Sequence, residues 1–262
     1  MNDQSPRYIQ GLNVHFLCNI CSQKNDVPLE ELTRETPTCS GCGSSVRYRS
    51  LMHQLSLALF EMPLALRDFP LSKEIRGLGT SDWEPFAKQL AQKLCYINTY
   101  YDSDPFLDLK KPSEDWHGKH DFVICSEVLE HIDPPVQRAF EGLFSLLRPG
   151  GVAILTVPFQ IDAETVEHFP ELHQWALCPL GDRMILVNTT KKGTLQVFDN
   201  LTFHGGRGST LEMRIFGEND FLAGLQNSGF ETHVVREAYL DFGIHWAVNW
   251  SLPVIARRPL DA

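Results

Sequence analysis

The sequence has no uninterrupted apolar run near the roughly 18 residues of a membrane-spanning helix. Its first 17 residues mix polar and charged groups where a secretory leader would need an apolar core, so a soluble, cytoplasmic protein with no membrane partner is expected. Positive charge is also scarce. The 23 Lys and Arg against 33 Asp and Glu leave a formal net charge of -10, and a surface of that sign repels phosphate, which disfavours non-specific nucleic-acid binding while leaving room for one local basic groove. Internal repeats and low-complexity tracts are absent, which excludes solenoids and long disordered arrays. The seven cysteines are an odd number, which argues against a disulfide framework in an intracellular chain and directs attention to metal binding or burial. What is present is ample apolar material: 43% of 262 residues is hydrophobic, enough for one full α/β domain and a small module beside it.

Cys18-x-x-Cys21 and Cys39-x-x-Cys42 are separated by residues 22–38, 17 in number, the spacing of a four-thiolate zinc site. Each turn offers two sulfurs to one tetrahedral ion, and Gly41 and Gly43 permit the tight backbone that aims amide hydrogens at those sulfurs. A segment of about 26 residues has little core of its own, so the metal is expected to hold it folded. Four protein thiolates leave no open position, which makes the expected zinc structural. Four unrelated thiols, or a redox pair, are the alternative. Cys95, Cys125 and Cys178 stand alone in apolar surroundings and read as small buried hydrophobes. Arg47, Arg49 and His53 then open a predicted helix with Leu51, Leu55, Ala58 and Leu59 on one stripe. Its arginines face an anionic group, or belong to a solvated helix face or a salt-bridged domain seam, and Pro63 and Pro70 bound the linker that follows.

Residues 121–159 are the most patterned part of the chain. Phe122 to Cys125 lack polar alternation, Val136 to Leu147 place Val136, Phe140, Leu143 and Leu147 on one helical face, and Gly150-Gly151 precedes the apolar Val152 to Val157. That is a βαβ unit of a parallel sheet. Its DFVICSEVLEH turn and RPGG break resemble the second half of class I S-adenosylmethionine (SAM) dependent methyltransferases of the type 11/12 kind. The resemblance implies an α/β, Rossmann-like, seven-stranded mostly parallel sheet with helices on both faces and an antiparallel last strand, here Trp246 to Ala256. It divides the chain into a tail and four-cysteine zinc ribbon (1–43), a helical connector (44–70) and a methyltransferase-like domain (71–262) with an insert at about 159–214.

In this family a glycine-rich loop after the first strand lets the backbone approach SAM. Gly77, Gly79 and Ser81 stand at that loop, with Trp83 to Leu94 as the following helix and Asp82 as its candidate cap. The family's ribose-binding position at the end of the second strand, Tyr96 to Tyr100, falls on Asn98 and Thr99, with Asp102 as a substitute. The adenine-binding position falls on Asp108, and the turn against the cofactor on Ser126 and Glu127.

Glu127, Glu130 and His131 allow three readings. His131 or Glu130 is a general base; or Glu127, Glu130 and His131 hold a divalent cation that orients an acceptor hydroxyl; or the turn is purely structural. In the insert, Met184 to Asn188 and Thr194 to Phe198 predict a β-hairpin around Lys191-Lys192-Gly193. His168, His173, Trp175 and His204 are rings able to line a pocket, and His204 to Ser209 is a glycine-rich cationic loop able to cover an anionic acceptor. The leading expectation is a SAM-dependent methyltransferase acting on a small-molecule or sugar-like acceptor, since zinc modules joined to this fold occur in deoxysugar methyltransferases. A zinc-bearing RNA methyltransferase and a non-catalytic binding protein on the same fold are the alternatives, and the oligomeric state is left open.

Overall fold

The structure is a computed structural model that describes residues 11–204 and 210–261. Strands β1 (Asn13–Leu17) and β2 (Lys24–Pro28) form an antiparallel pair, and helix α1 (Val46–Phe60) follows. Then come β3 (Ser72–Thr80), α2 (Glu84–Lys93), β4 (Leu94–Thr99), β5 (His120–Ser126), α3 (Gln137–Leu146) and β6 (Leu147–Thr156). The insert contains β7 (Phe159–Gln160), β8 (Val166–Glu167), β9 (Gln174–Leu180), β10 (Arg183–Thr189), β11 (Leu195–Phe198), β12 (Phe203–His204), β13 (Thr210–Leu211) and β14 (Arg214–Gly217). Helix α4 (Glu218–Asn227), β15 (Glu231–Val234) and β16 (Val254–Arg257) close the chain. No helix of the described residues is long and apolar enough to cross a membrane.

The main sheet runs β15-β16-β6-β5-β3-β4. Strands β4, β3, β5 and β6 are parallel, while β16 runs antiparallel to both β6 and β15. Among the described residues the sheet therefore has six strands rather than the expected seven. The resemblance puts the end of a third strand at Leu107–Leu109, but this segment forms no strand and meets the β4 edge through a Tyr100–Phe106 bridge. Pro105 has no amide to donate there, and Asp108 Oδ1 accepts the Lys110 amide at 2.8 Å and turns the chain away. The last strand is also shorter than expected. It begins at Val254, because Ser251 takes a left-handed φ of 54° and Pro253 follows, both incompatible with a continuous ladder.

The helix before β6 ends at Leu146, earlier than the Gly150-Gly151 pair, and Leu147 already belongs to the strand. Pro149 biases Arg148 toward extended backbone, so the break is set by the proline and the glycines form an irregular strand entrance. Asp82 does not cap α2, whose start carries no side-chain cap, because its carboxylate is directed inward.

Side chains alternate along β5: Phe122 and Ile124 join a core with Phe16, Leu51, Leu55, Phe86 and Val152, whereas Val123 and Cys125 face Phe140, Leu143, Leu155 and Phe221. The cysteine-bearing segment and α1 thus bury their apolar side chains on one face of the sheet instead of forming a core of their own. Cys125 is buried, but Cys95 and Cys178 are only half-buried, unlike the reading of all three as core residues. The insert contains the predicted hairpin, β10 with β11, extended by β9 to three antiparallel strands. The strands β8 and β7 flank β14 and tie the insert to the main domain.

Candidate functional site

Parallel α/β sheets present ligand-binding turns at the carboxyl ends of their strands. Here that edge is formed by the turns after β3, β4 and β5. Gly77 and Gly79 are needed for packing: a Cβ on Gly77 would lie 2.0 Å from the Phe122 ring, and one on Gly79 would lie 2.0 Å from the Tyr96 hydroxyl. Ser81 takes φ 61°, the left-handed conformation that glycine adopts without cost. Tyr96 donates a 2.6 Å hydrogen bond to Asp82 Oδ2, and burial pushes the Asp82 carboxyl up to about 8. Asn98 and Thr99 brace the same loop: Asn98 accepts the Asp82 amide at 2.8 Å and donates to its carbonyl at 2.9 Å, and the Thr99 hydroxyl donates to the Gly79 carbonyl at 2.6 Å.

The turn after β5 meets a segment that lies between the two cysteine pairs. Glu127 adopts φ 56°, and its oxygens accept from Arg34 Nη2 at 2.6 Å and Nη1 at 3.3 Å. Arg34 Nε donates to the Ser251 carbonyl at 2.8 Å, which fixes the guanidinium. Arg47, at the start of α1, donates to Ser126 Oγ at 2.6 Å and grips Glu35 through Nε at 2.8 Å and Nη2 at 2.9 Å. Arg34 also pairs with Glu35. Burial alone would raise the Glu127 carboxyl, but the guanidinium of Arg34, assisted by Arg47, holds it below the usual range. The Arg47 guanidinium sits 4.5 Å from the Tyr48 ring centroid, and Tyr48 stacks on Trp83 at 4.5 Å, which connects this network to the loop after β3.

Glu130 and His131 occupy a short 3-10 turn, Leu129–His131. Returning from the insert, residues 211–214 clamp it: the Leu211 carbonyl lies 3.0 Å from His131 Nδ1, the Met213 amide donates to the Glu130 carbonyl at 2.8 Å, and Arg214 Nη1 donates to the Leu129 carbonyl at 2.7 Å. The Glu130 carboxyl is fully buried, neither oxygen has a hydrogen-bond partner, and His131 Nε2 lies 3.6 Å from Oε1. Burial, then the neighbouring Glu127, pushes this carboxyl up to about 8. His204 packs edge-on against His131 at 4.8 Å, and Glu212 lies 3.0 Å from His204 Nε2 and 2.8 Å from His168 Nε2. Burial, with His204 alongside, lowers His131.

The four paired cysteines converge, one sulfur from each lying within 4.8 Å of the others. Cys18 and Cys42 sulfurs are 3.7 Å apart and Cys21 and Cys39 sulfurs 3.4 Å apart, against about 3.8 Å between ligands of a tetrahedron with Zn–S bonds of about 2.3 Å. Both turns have the same form. Ser22 and Gly43, each with positive φ, donate their amides to the carbonyls of Cys18 and Cys39 at 2.8 Å. Arg49 is completely buried beside these sulfurs, held by the Ser44 carbonyl at 2.6 Å and the Gly243 carbonyl at 2.9 Å. A buried guanidinium needs an anionic counterpart, and a zinc ion with four thiolates, net charge -2, supplies one, so the residues fit that group.

The structure places the remaining predicted residues less centrally. Asp108 is occupied in its own turn with the Lys110 amide. The insert rings separate into two places: His168 and His204 join Glu212, while His173 and Trp175 line an open groove along β9. Residues 205–209 of the cationic loop lie outside the described residues. Arg34, Glu35 and Glu212 are the participants that sequence reasoning passed over. The signal available for the first two was an Arg-Glu pair between the CxxC motifs, read there as spacer.

The sheet order defines a doubly wound α/β protein whose candidate site is formed by the turns after β3, β4 and β5. Residues 77–187 match the family model described as a methyltransferase domain. No curated protein matches the chain. Solved structures similar to it include a SAM-bound amino pentose methyltransferase from Micromonospora echinaspora involved in calicheamicin biosynthesis, at 12% identity and TM-score 0.46, covering 82% of this chain and 92% of that one. A second is the Burkholderia thailandensis 1,6-didemethyltoxoflavin N1-methyltransferase with bound S-adenosylhomocysteine, at 14% identity and TM-score 0.41, covering 71% and 72%. A third is a sugar N-methyltransferase from a Streptoalloteichus species, at 12% identity and TM-score 0.42, covering 71% and 81%.

Proposed function

We propose that the protein is a SAM-dependent methyltransferase acting on a small-molecule or sugar-like acceptor. The observation that carries this reading is the coincidence of the methyltransferase-domain match, residues 77–187, with the sheet edge at which the β3 loop, Ser126, Glu127 and the Glu130–His131 pair meet. Ser81, Asp108, Ser126 and Glu127 are the direct cofactor contacts in this reading, with Asp108 accepting from the adenine amino group. Gly77, Gly79, Asn98 and Thr99 act through the loop they pack and brace. The segment 1–43 carries a structural zinc at Cys18, Cys21, Cys39 and Cys42, and with the connector 44–70 it presents Arg34 and Arg47 to the methionine carboxylate.

Bound at this edge, SAM would supply an activated methyl group that an acceptor lone pair takes, the bonding pair staying on sulfur. With no metal ion at this turn, the acceptor proton would pass to the His131 imidazole, which burial keeps neutral. Positioning of the two reactants supplies much of the rate, which suits a site built on rigid strand ends. Calorimetry with SAM tests the reading. One molecule bound per chain and a rise in Tm are expected, both diminished in Asp108→Ala; no heat and no thermal shift at millimolar SAM would overturn it.

A further inference from the structure

We propose that Glu130, His131 and His204 form a binding site for one divalent transition-metal cation, distinct from the cysteine site. One ligand atom from each residue lies within 4.8 Å of the others, close enough to share an ion. Two features separate this group from an ordinary cluster of surface acids. Glu130 is fully buried with both carboxylate oxygens unpartnered, which is costly unless something else occupies them. Around the group, the Leu211 carbonyl orients the His131 ring through Nδ1, which turns Nε2 toward Glu130, and Glu212 lies against Nε2 of both His204 and His168. Carbonyls and carboxylates placed behind imidazoles in this way orient metal-binding histidines.

The ligand types indicate the ion: two imidazoles and a carboxylate suit manganese, iron or zinc better than magnesium or calcium. Glu127, the third ligand expected from the ExxEH spacing, is engaged with Arg34, and His204 from the insert takes the third place. Binding of the ion does not depend on the proposed function. Its role does rest on that reading: an ion here would ligate and acidify an acceptor hydroxyl beside the methyl group, which makes the acceptor an oxygen nucleophile.

Manganese(II) is the probe, because thiolates compete for it poorly and its free form has a distinct electron paramagnetic resonance signal. Titrated into the full zinc-loaded chain, one Mn2+ per chain is expected to bind. Glu130→Gln, which preserves shape, and His204→Ala should each weaken binding at least about tenfold, whereas His204→Asp should retain part of it and Glu141→Gln, an exposed helix position, should leave it unchanged. No binding at millimolar Mn2+, or binding equal to the parent in both Glu130→Gln and His204→Ala, overturns the site. SAM calorimetry on the same samples separates the two ideas: SAM binding without Mn2+ binding removes the ion and leaves the methyltransferase reading in place.

Discussion

The cysteine cluster and the Glu130–His131–His204 cluster are assembled in opposite ways. Four sulfurs come from residues 18–42, two turns of the same form, and a buried Arg49 a few residues further on. The second cluster takes two residues from one 3-10 turn and a third from far along the chain, brought back by strands of the insert. Its surroundings differ as well. Arg49 is hydrogen-bonded by Ser44 and Gly243 next to the sulfurs, whereas Glu130 is left without a partner. A cluster made locally maintains its own segment; a cluster made across the fold depends on the whole molecule and has the orphaned group expected of a site that receives something.

Breaking the local cluster should have the largest effect. Cys39→Ser, or removal of metal by a strong chelator, is expected to unfold residues 11–44 and release Arg34 and Arg49, since structural zinc contributes on the order of 10 kcal/mol to small modules. Because these residues share the core of the sheet, the Tm of the entire chain should fall by well over about 10 °C. Metal analysis and amide exchange read the outcome, and a parent protein with far less than one zinc per chain would refute the assignment.

Asp82 provides an intermediate effect at the loop after β3. Its folded carboxyl is raised to about 8, while the unfolded value lies near 4. The folded chain therefore holds a proton between these values that the unfolded chain releases, so this group's contribution is complete below about pH 4 and is lost as pH rises toward 8. Asp82→Asn stays neutral and should be the more stable protein at pH 8, by an amount on the order of a few kcal/mol that shrinks toward pH 5. Parallel denaturation curves for the two proteins at both pH values would remove this account of the loop.

The smallest effect is expected at Glu35. It is the most exposed member of the arginine and carboxylate network, with 53% of its side chain accessible against 12% for Arg34 and 23% for Glu127. It occupies the Arg47 fork as a ligand carboxylate would. Glu35→Gln should then tighten SAM binding by a few-fold, since exposed ion pairs are worth about 1 kcal/mol or less. Weaker SAM binding in this variant, measured by calorimetry, would instead make Glu35 a positive part of the site.

Much of this could be read from residue order. The CxxC spacing named the four cysteines, and the apolar runs at Phe122–Cys125 and Val152–Val157, with a helix between them, identified the centre of the parallel sheet. The Lys191-Lys192-Gly193 turn announced its hairpin. Apolar periodicity and short motifs are local, so they survive in a one-dimensional record. The edge of the sheet was less legible. The segment Leu107–Leu109 has the composition of a strand but is turned away by Asp108 and Pro105, and Asn98 and Thr99 have polar groups suited to a ligand yet use them on the adjoining loop.

By itself the sequence determined the cysteine cluster and the identity of the central strands, because hydrophobic pattern and CxxC spacing act over a few turns of chain. Only the tertiary structure decided which charged groups meet. Arg34 reaching Glu127, Arg49 buried at the sulfurs, and His204 completing the group around Glu130 each join residues distant in sequence. Electrostatic partners are chosen by where the backbone returns and which groups lose water together, and no periodicity in the chain records that.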